Sequence, residues 1–115
     1  MDNQHRKISG YRELSAAEVD LMNRIKAKGT ELLALQAELK NLLDTQFEVK
    51  NADAKQSLKR PEAAGVSIHQ GATDECREFQ RFLAAEPHRW VEIAKTDIQT
   101  AIMALVRAVA QPSQA

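Results

Sequence analysis

No proline falls between Ser15 and Val49, and apolar residues recur through that stretch at helical spacing. Leu21, Met22, Ile25, Leu32, Leu33, Leu35, Leu39, Leu42, Leu43 and Phe47 supply the pattern. Residues three and four apart share one side of a helix, so the run predicts a single long α-helix. Its start is written in Ser15-Ala16-Ala17-Glu18, a capping box in which hydroxyl and carboxylate each satisfy a free backbone N–H. Leu14 and Val19 stand at the positions of a hydrophobic staple across that start. Gly29 is the weak point, costing about 1 kcal/mol against alanine. Read from Ala16 to about Val49, the helix is roughly 50 Å long. A domain of this size has a radius of gyration of about 13 Å. A helix that long overhangs any monomeric core, which predicts a homo-oligomer.

The remainder is helical too. Thr73 caps a second stretch, with Asp74 and Glu75 in its first turn and Phe79, Phe82 and Leu83 as its apolar side. Pro87 ends or kinks that stretch and suits the first position of a last helix. From His88 to Ala110 a wide apolar stripe follows (Trp90, Ile93, Ala94, Ile98, Ala101, Ile102, Leu105, Val106, Val109), stopped by Pro112. A face that broad calls for more than one partner helix. Residues 50–72 show no apolar period and read as a mobile connector with a helical turn near Asp53–Leu58. Asp2–Ser9 reads as a short helix stopped at Gly10. The prediction is one all-α domain over 1–115, a long helical hairpin with a short N-terminal helix.

At 115 residues and zero formal net charge, the chain lacks the basic excess of a DNA or RNA binder. A small anion held by a few local cations remains compatible with neutrality. Cys76 is the single cysteine and has no neighbours at metal-ligand spacing, His69 and His88 included, so it reads as a packing residue. The opening Met1–Lys7 has no apolar core, and no run approaches about 18 unbroken apolar residues. A soluble intracellular protein with no membrane partner is expected. No phosphate loop, catalytic triad or paired carboxylates on an apolar face occur, and Glu31 and Glu38 sit at exposed phase. Neither enzyme activity nor a cofactor is predicted.

Tyr11 and Lys26 are the candidate ligand-binding pair. Tyr11 is either a loop anchor or a stacking platform, where a base gains about 1–3 kcal/mol on an aromatic ring. Lys26 is either a solvated lysine or the donor of a charge-assisted hydrogen bond to a phosphate oxygen. It shares a helix face with Asn23 and Thr30, a polar strip in an otherwise apolar helix. Arg12 is a secondary candidate beside Tyr11; Arg24 reads as a surface residue. His5, Arg6 and Lys7 read as a solvated end or, repeated around a symmetry axis, as a second anion site.

The strings Gly10-Tyr11-Arg12-Glu13-Leu14 and Leu21-Met22-Asn23-Arg24-Ile25-Lys26 resemble the signature of the phage anti-CBASS cyclic-nucleotide sponges. These are relatives of the Thoeris anti-defence sponges through a shared helical hairpin. Thr96-Asp97-Ile98-Gln99-Thr100 and Leu105-Val106-Arg107-Ala108-Val109 look like that family's last helix. The likeness covers residues 1–40 and 86–112, with the 50–72 connector longer than in the members most resembled. It implies a homohexamer that acts in the cytoplasm of the infected bacterium. There it would hold cyclic dinucleotides such as 3′,3′-cGAMP, and in separate sites cyclic trinucleotides, without cleaving them, so that defence effectors stay silent. In the family, the residues matching Tyr11 and Lys26 stack on the bases and bind the phosphates. Two other readings stand beside this one: a coiled-coil structural or adaptor protein with no small-molecule ligand, and a phosphodiesterase.

Overall fold

A computed structural model describes residues 12–113. Among the described residues three α-helices follow one another: α1 (Ala16–Ser57), α2 (Asp74–Ala85) and α3 (Pro87–Ala110), with a 3-10 turn at Pro61–Ala63 between α1 and α2. No strand occurs among the described residues. The fold is all-α, a long helical hairpin, as the periodicity predicts. The helix expected over Asp2–Ser9 lies outside the described residues.

Both capping motifs form. The Glu18 amide donates to Ser15 Oγ at 3.1 Å, while the Ser15 amide donates to Glu18 Oε1 at 2.9 Å. At α2, the Cys76 amide donates to Thr73 Oγ1 at 3.1 Å. Pro87 resolves its two readings by opening α3 outright. Glu86 sits between the helices in the left-handed region at φ 51° and ψ 49°. A residue before proline is driven out of the right-handed helical region, so the break falls there.

α1 runs 42 residues and ends at Ser57, eight residues beyond the expected stop near Val49. Its added turns are rich in alanine, lysine and glutamine, all good helix formers. They also have packing to do, since Ala54 is wholly buried. The chain then turns through Arg60, extended ahead of Pro61.

The chain divides into two compact units, one formed by its two ends (up to Leu35 and from Ala94) and one by Gln36–Ile93. In the Gln36–Ile93 unit, Leu43, Phe82 and Val91 form one buried cluster. Ala54, Cys76 and Phe79 form another, with Leu58 and Ile68 packed against it. Gln80 Nε2 fastens the incoming loop by donating to the carbonyls of Ile68 and Gly71 at 3.1 and 3.0 Å. Gly71 is there for space: a Cβ would lie 2.6 Å from Cys76 Sγ. Buried Gln36 donates to the Val91 carbonyl at 2.9 Å, so its amide is not left without a partner.

In the other unit, Gly29 is the buried residue of α1. A Cβ there would meet Ile102 Cδ1 at 2.3 Å and Cγ1 at 2.6 Å. The glycine therefore permits close approach of α1 and α3 rather than merely weakening a helix. Ile102 is β-branched and stiff in a helix, so it yields poorly. Gly29→Ala gains about 1 kcal/mol of propensity and meets an overpacking cost of about 1–3 kcal/mol. The expected net result is a lower melting temperature by thermal denaturation. A rise, as an exposed Gly→Ala change gives, would contradict this packing.

Candidate functional site

Helix α1 carries three cations in its first half, and they differ. Arg24 Nε lies 3.0 Å from Asp20 Oδ2, and Lys28 Nζ lies 3.4 Å from Glu31 Oε2. Lys26 is exposed and its ammonium has no ion pair or hydrogen bond among the described residues. Local carboxylates thus quench the cations on either side and spare the one between them. Asn23 and Thr30, a turn away on each side, are exposed as well. The Thr30 hydroxyl donates to the Lys26 carbonyl at 3.0 Å, a back-bond that fixes its methyl and leaves the oxygen's lone pairs outward. Lys26, Asn23 and Thr30 therefore form an open polar strip with one available positive charge.

Arg12 is engaged. Its Nη1 donates to Glu18 Oε1 at 3.3 Å and its Nη2 makes a close contact with Glu18 Oε2. Nη2 also donates to the Val109 carbonyl at 2.9 Å. Nε is buried and has no partner among the described residues. The Arg12 hydrogen bond, followed by that from the Ser15 backbone, holds the Glu18 carboxyl down at about 2, and the same pairing raises Arg12. Sequence reasoning did not mark Glu18 as part of this arrangement. Its place in the capping box was legible, but a partner six residues upstream, across a helix start, has no periodic signature.

Tyr11, His5, Arg6 and Lys7, the other sequence-derived candidates, lie outside the described residues. Cys76 is fully buried, its Sγ 3.7 Å from the Ala54 carbonyl, in keeping with a packing role. No group of three or more metal-ligating side chains gathers among the described residues. No described helix is long and apolar enough to cross a membrane.

A shallow groove of about 370 Å³ adjoins the strip's helix, lined by Leu32, Ile98, Ile102 and Leu105 with Lys28 and Asp97. It is apolar and suits packing better than recognition of a charged ligand. Exposed apolar side chains are abundant in both units. Leu35 is 60% and Met103 71% exposed in one, and Trp90 is 57% exposed in the other.

Comparison with known proteins agrees with the residue-level resemblance. Residues 43–110 match the family described as Acb2/Tad1, hairpin domain. Anti-CBASS protein 2 of Pseudomonas phage JBD67 is 62% identical over 112 residues, covering 97% of this chain and 97% of that protein. Coverage so complete on both sides leaves no room for a large insertion at 50–72 relative to that protein, against the expectation of a longer connector. The family match spans well over half the chain, and with this near-full-length relative it decides the matter: the chain belongs to the Acb2/Tad1 hairpin-domain family.

Proposed function

We propose that this protein blocks CBASS defence in the infected bacterium by binding and sequestering cyclic oligonucleotide second messengers without cleaving them. The observation that carries this reading is the 62% identity to a phage protein named Anti-CBASS protein 2 across 97% of both chains. Within it, Tyr11 stacks on the bases, Lys26 meets the phosphates, and Asn23 and Thr30 line the approach. The exposed ammonium of Lys26, with no ion pair among the described residues and flanked by the paired Arg24 and Lys28, supports that assignment. Sequestration asks for affinity and copy number, and no transition state needs stabilising.

Self-association belongs to the same proposal. Helix α1 leaves Leu21, Leu32, Leu35, Leu39 and Leu42 exposed, apolar surface of the kind that contributes to interaction sites when it is contiguous. A second copy covering them would place two Tyr11/Lys26 sets near one another, matching the near two-fold symmetry of a cyclic dinucleotide. A rigid macrocycle loses little entropy on capture.

A thermal-shift panel of cyclic di- and trinucleotides tests the proposal. A ligand at 100 times its Kd adds about 2.7 kcal/mol of stability, which such a scan resolves. The bound species, released by heating, is expected to emerge intact. No shift from any cyclic nucleotide would favour the reading as a coiled-coil adaptor, which the exposed leucines also suit. Recovery of linear products would instead indicate a phosphodiesterase.

A further inference from the structure

We infer that Arg12 and Glu18 are positioning residues for the proposed ligand site, clamping the chain that follows Tyr11 to the start of α1 and the end of α3. This rests on the reading that Tyr11 and Lys26 meet the ligand, and assigns Arg12 a different task from direct contact. Arg12 adjoins Tyr11 in sequence, and its guanidinium is committed at three points. Two are the oxygens of Glu18, in a fork-to-fork pairing that suits a planar guanidinium and not an ammonium. The third is the Val109 carbonyl.

That carbonyl lies in the last turn of α3, where carbonyls lack intrahelical donors and the helix dipole favours a cation. The Gln111 amide closes back on the Arg107 carbonyl at 2.8 Å. Arg12 thus caps α3 from 97 residues away in sequence. Glu18 completes the tie from the other side. One of its oxygens already accepts from the Ser15 amide, so the same carboxylate serves the α1 cap and the clamp. The remaining nitrogen, Nε, is buried and closed to a ligand arriving from solvent. For Arg12 to fork a phosphate it would have to release Glu18.

The two roles predict opposite signs for one substitution. Glu18→Gln keeps a side-chain acceptor for the capping box, which tolerates either residue, and removes the charge that holds Arg12. If Arg12 were a ligand contact, freeing it and deleting a nearby negative charge would tighten an anion. If it is a clamp, the site loosens.

Calorimetry with 3′,3′-cGAMP on the full chain is the test. Glu18→Gln is expected to weaken binding about tenfold, the scale of ordering one or two side chains anew. Arg12→Lys, which keeps the charge but not the fork, is expected to weaken it similarly and carries the test if Glu18→Gln fails to fold. Ser15→Ala, which breaks the cap but not the clamp, is expected to lower stability while leaving affinity as it was. A ligand-free signature accompanies these. Tyr11 is the single tyrosine and Trp90 the single tryptophan. In ring-labelled protein, Glu18→Gln is expected to move the one tyrosine signal and spare the indole.

Unchanged or tighter binding in Glu18→Gln, or a tyrosine signal that does not move, overturns the clamp. The underlying reading fails separately: it falls if Tyr11→Ala and Lys26→Ala both bind 3′,3′-cGAMP like the parent protein.

Discussion

Lys26→Ala is expected to remove most of the proposed affinity for cyclic dinucleotides while leaving the helix and the proposed assembly as they were. The side chain is exposed and makes no ion pair among the described residues, so its loss deletes no packing and strands no partner. Alanine is moreover the best helix former. The effect therefore falls on the ligand alone. One hydrogen bond to a charged group contributes about 1.5–3 kcal/mol, or roughly 10- to 150-fold in affinity. Two subunits flanking one macrocycle would double that free energy, because the substitution enters the pocket twice. Tyr11→Ala is expected to act on a similar scale, at about 1–3 kcal/mol per stacked base. Arg24→Ala and Lys28→Ala are the controls. Each removes a cation already matched by a carboxylate, and each should change affinity by less than about threefold, since exposed pairs contribute little. Calorimetry at fixed ionic strength, with light scattering to follow the assembly, separates these outcomes. Equal losses in all three lysine and arginine variants would mean that diffuse positive potential, not Lys26, holds the anion.

In α1 the local signals of the sequence match the structure, and the long-range ones do not. The capping box, the Thr73 cap and the opening of α3 at Pro87 were legible because each rests on local chemistry within four residues. The inward face of α1 was not. A count of apolar residues nominates the leucines, yet along this helix Gly29, Gln36, Leu43 and Ala54 are the buried positions. The first three recur every seven residues, a coiled-coil interval. Two of them are a glycine and a glutamine, which a hydrophobicity scale ranks as surface. Their burial depends on partners far along the chain: Ile102 for Gly29, and the Val91 carbonyl for Gln36. Val91 was itself missed, although it is the buried residue of α3. The stop of α1 was set eight residues early for the same reason, since Ala54 contributes to a core without looking hydrophobic. At the candidate site, only the family resemblance singles out Lys26 in the sequence. Its distinctness from Arg24 and Lys28 required knowing where Asp20 and Glu31 reach.

Phe79→Ala is expected to be the most damaging single change to the Gln36–Ile93 unit. The ring is 1% exposed and packs with Ala54 and Cys76, two residues too small to move into the space it would leave. Its ring also meets Phe47 and His69 in tilted contacts, each with ring centroids 5.7 Å away. A cavity that cannot collapse sits at the upper end of the range for such truncations, about 3–5 kcal/mol. Against a total stability of roughly 5–15 kcal/mol, that is enough to leave a marginal protein partly unfolded at physiological temperature. Phe47→Ala is the informative comparison. Its ring meets Phe79 from outside and is 37% exposed, so water already covers part of the surface that truncation would uncover. The expected loss there is nearer 1–2 kcal/mol, in proportion to the apolar area actually removed from water. Urea denaturation followed by helical circular dichroism reads both. A Phe79→Ala loss no larger than that of Phe47→Ala would mean that the loop bearing Leu58 and Ile68 closes over the gap, and that this loop, not α2, sets the packing of Ala54 and Cys76.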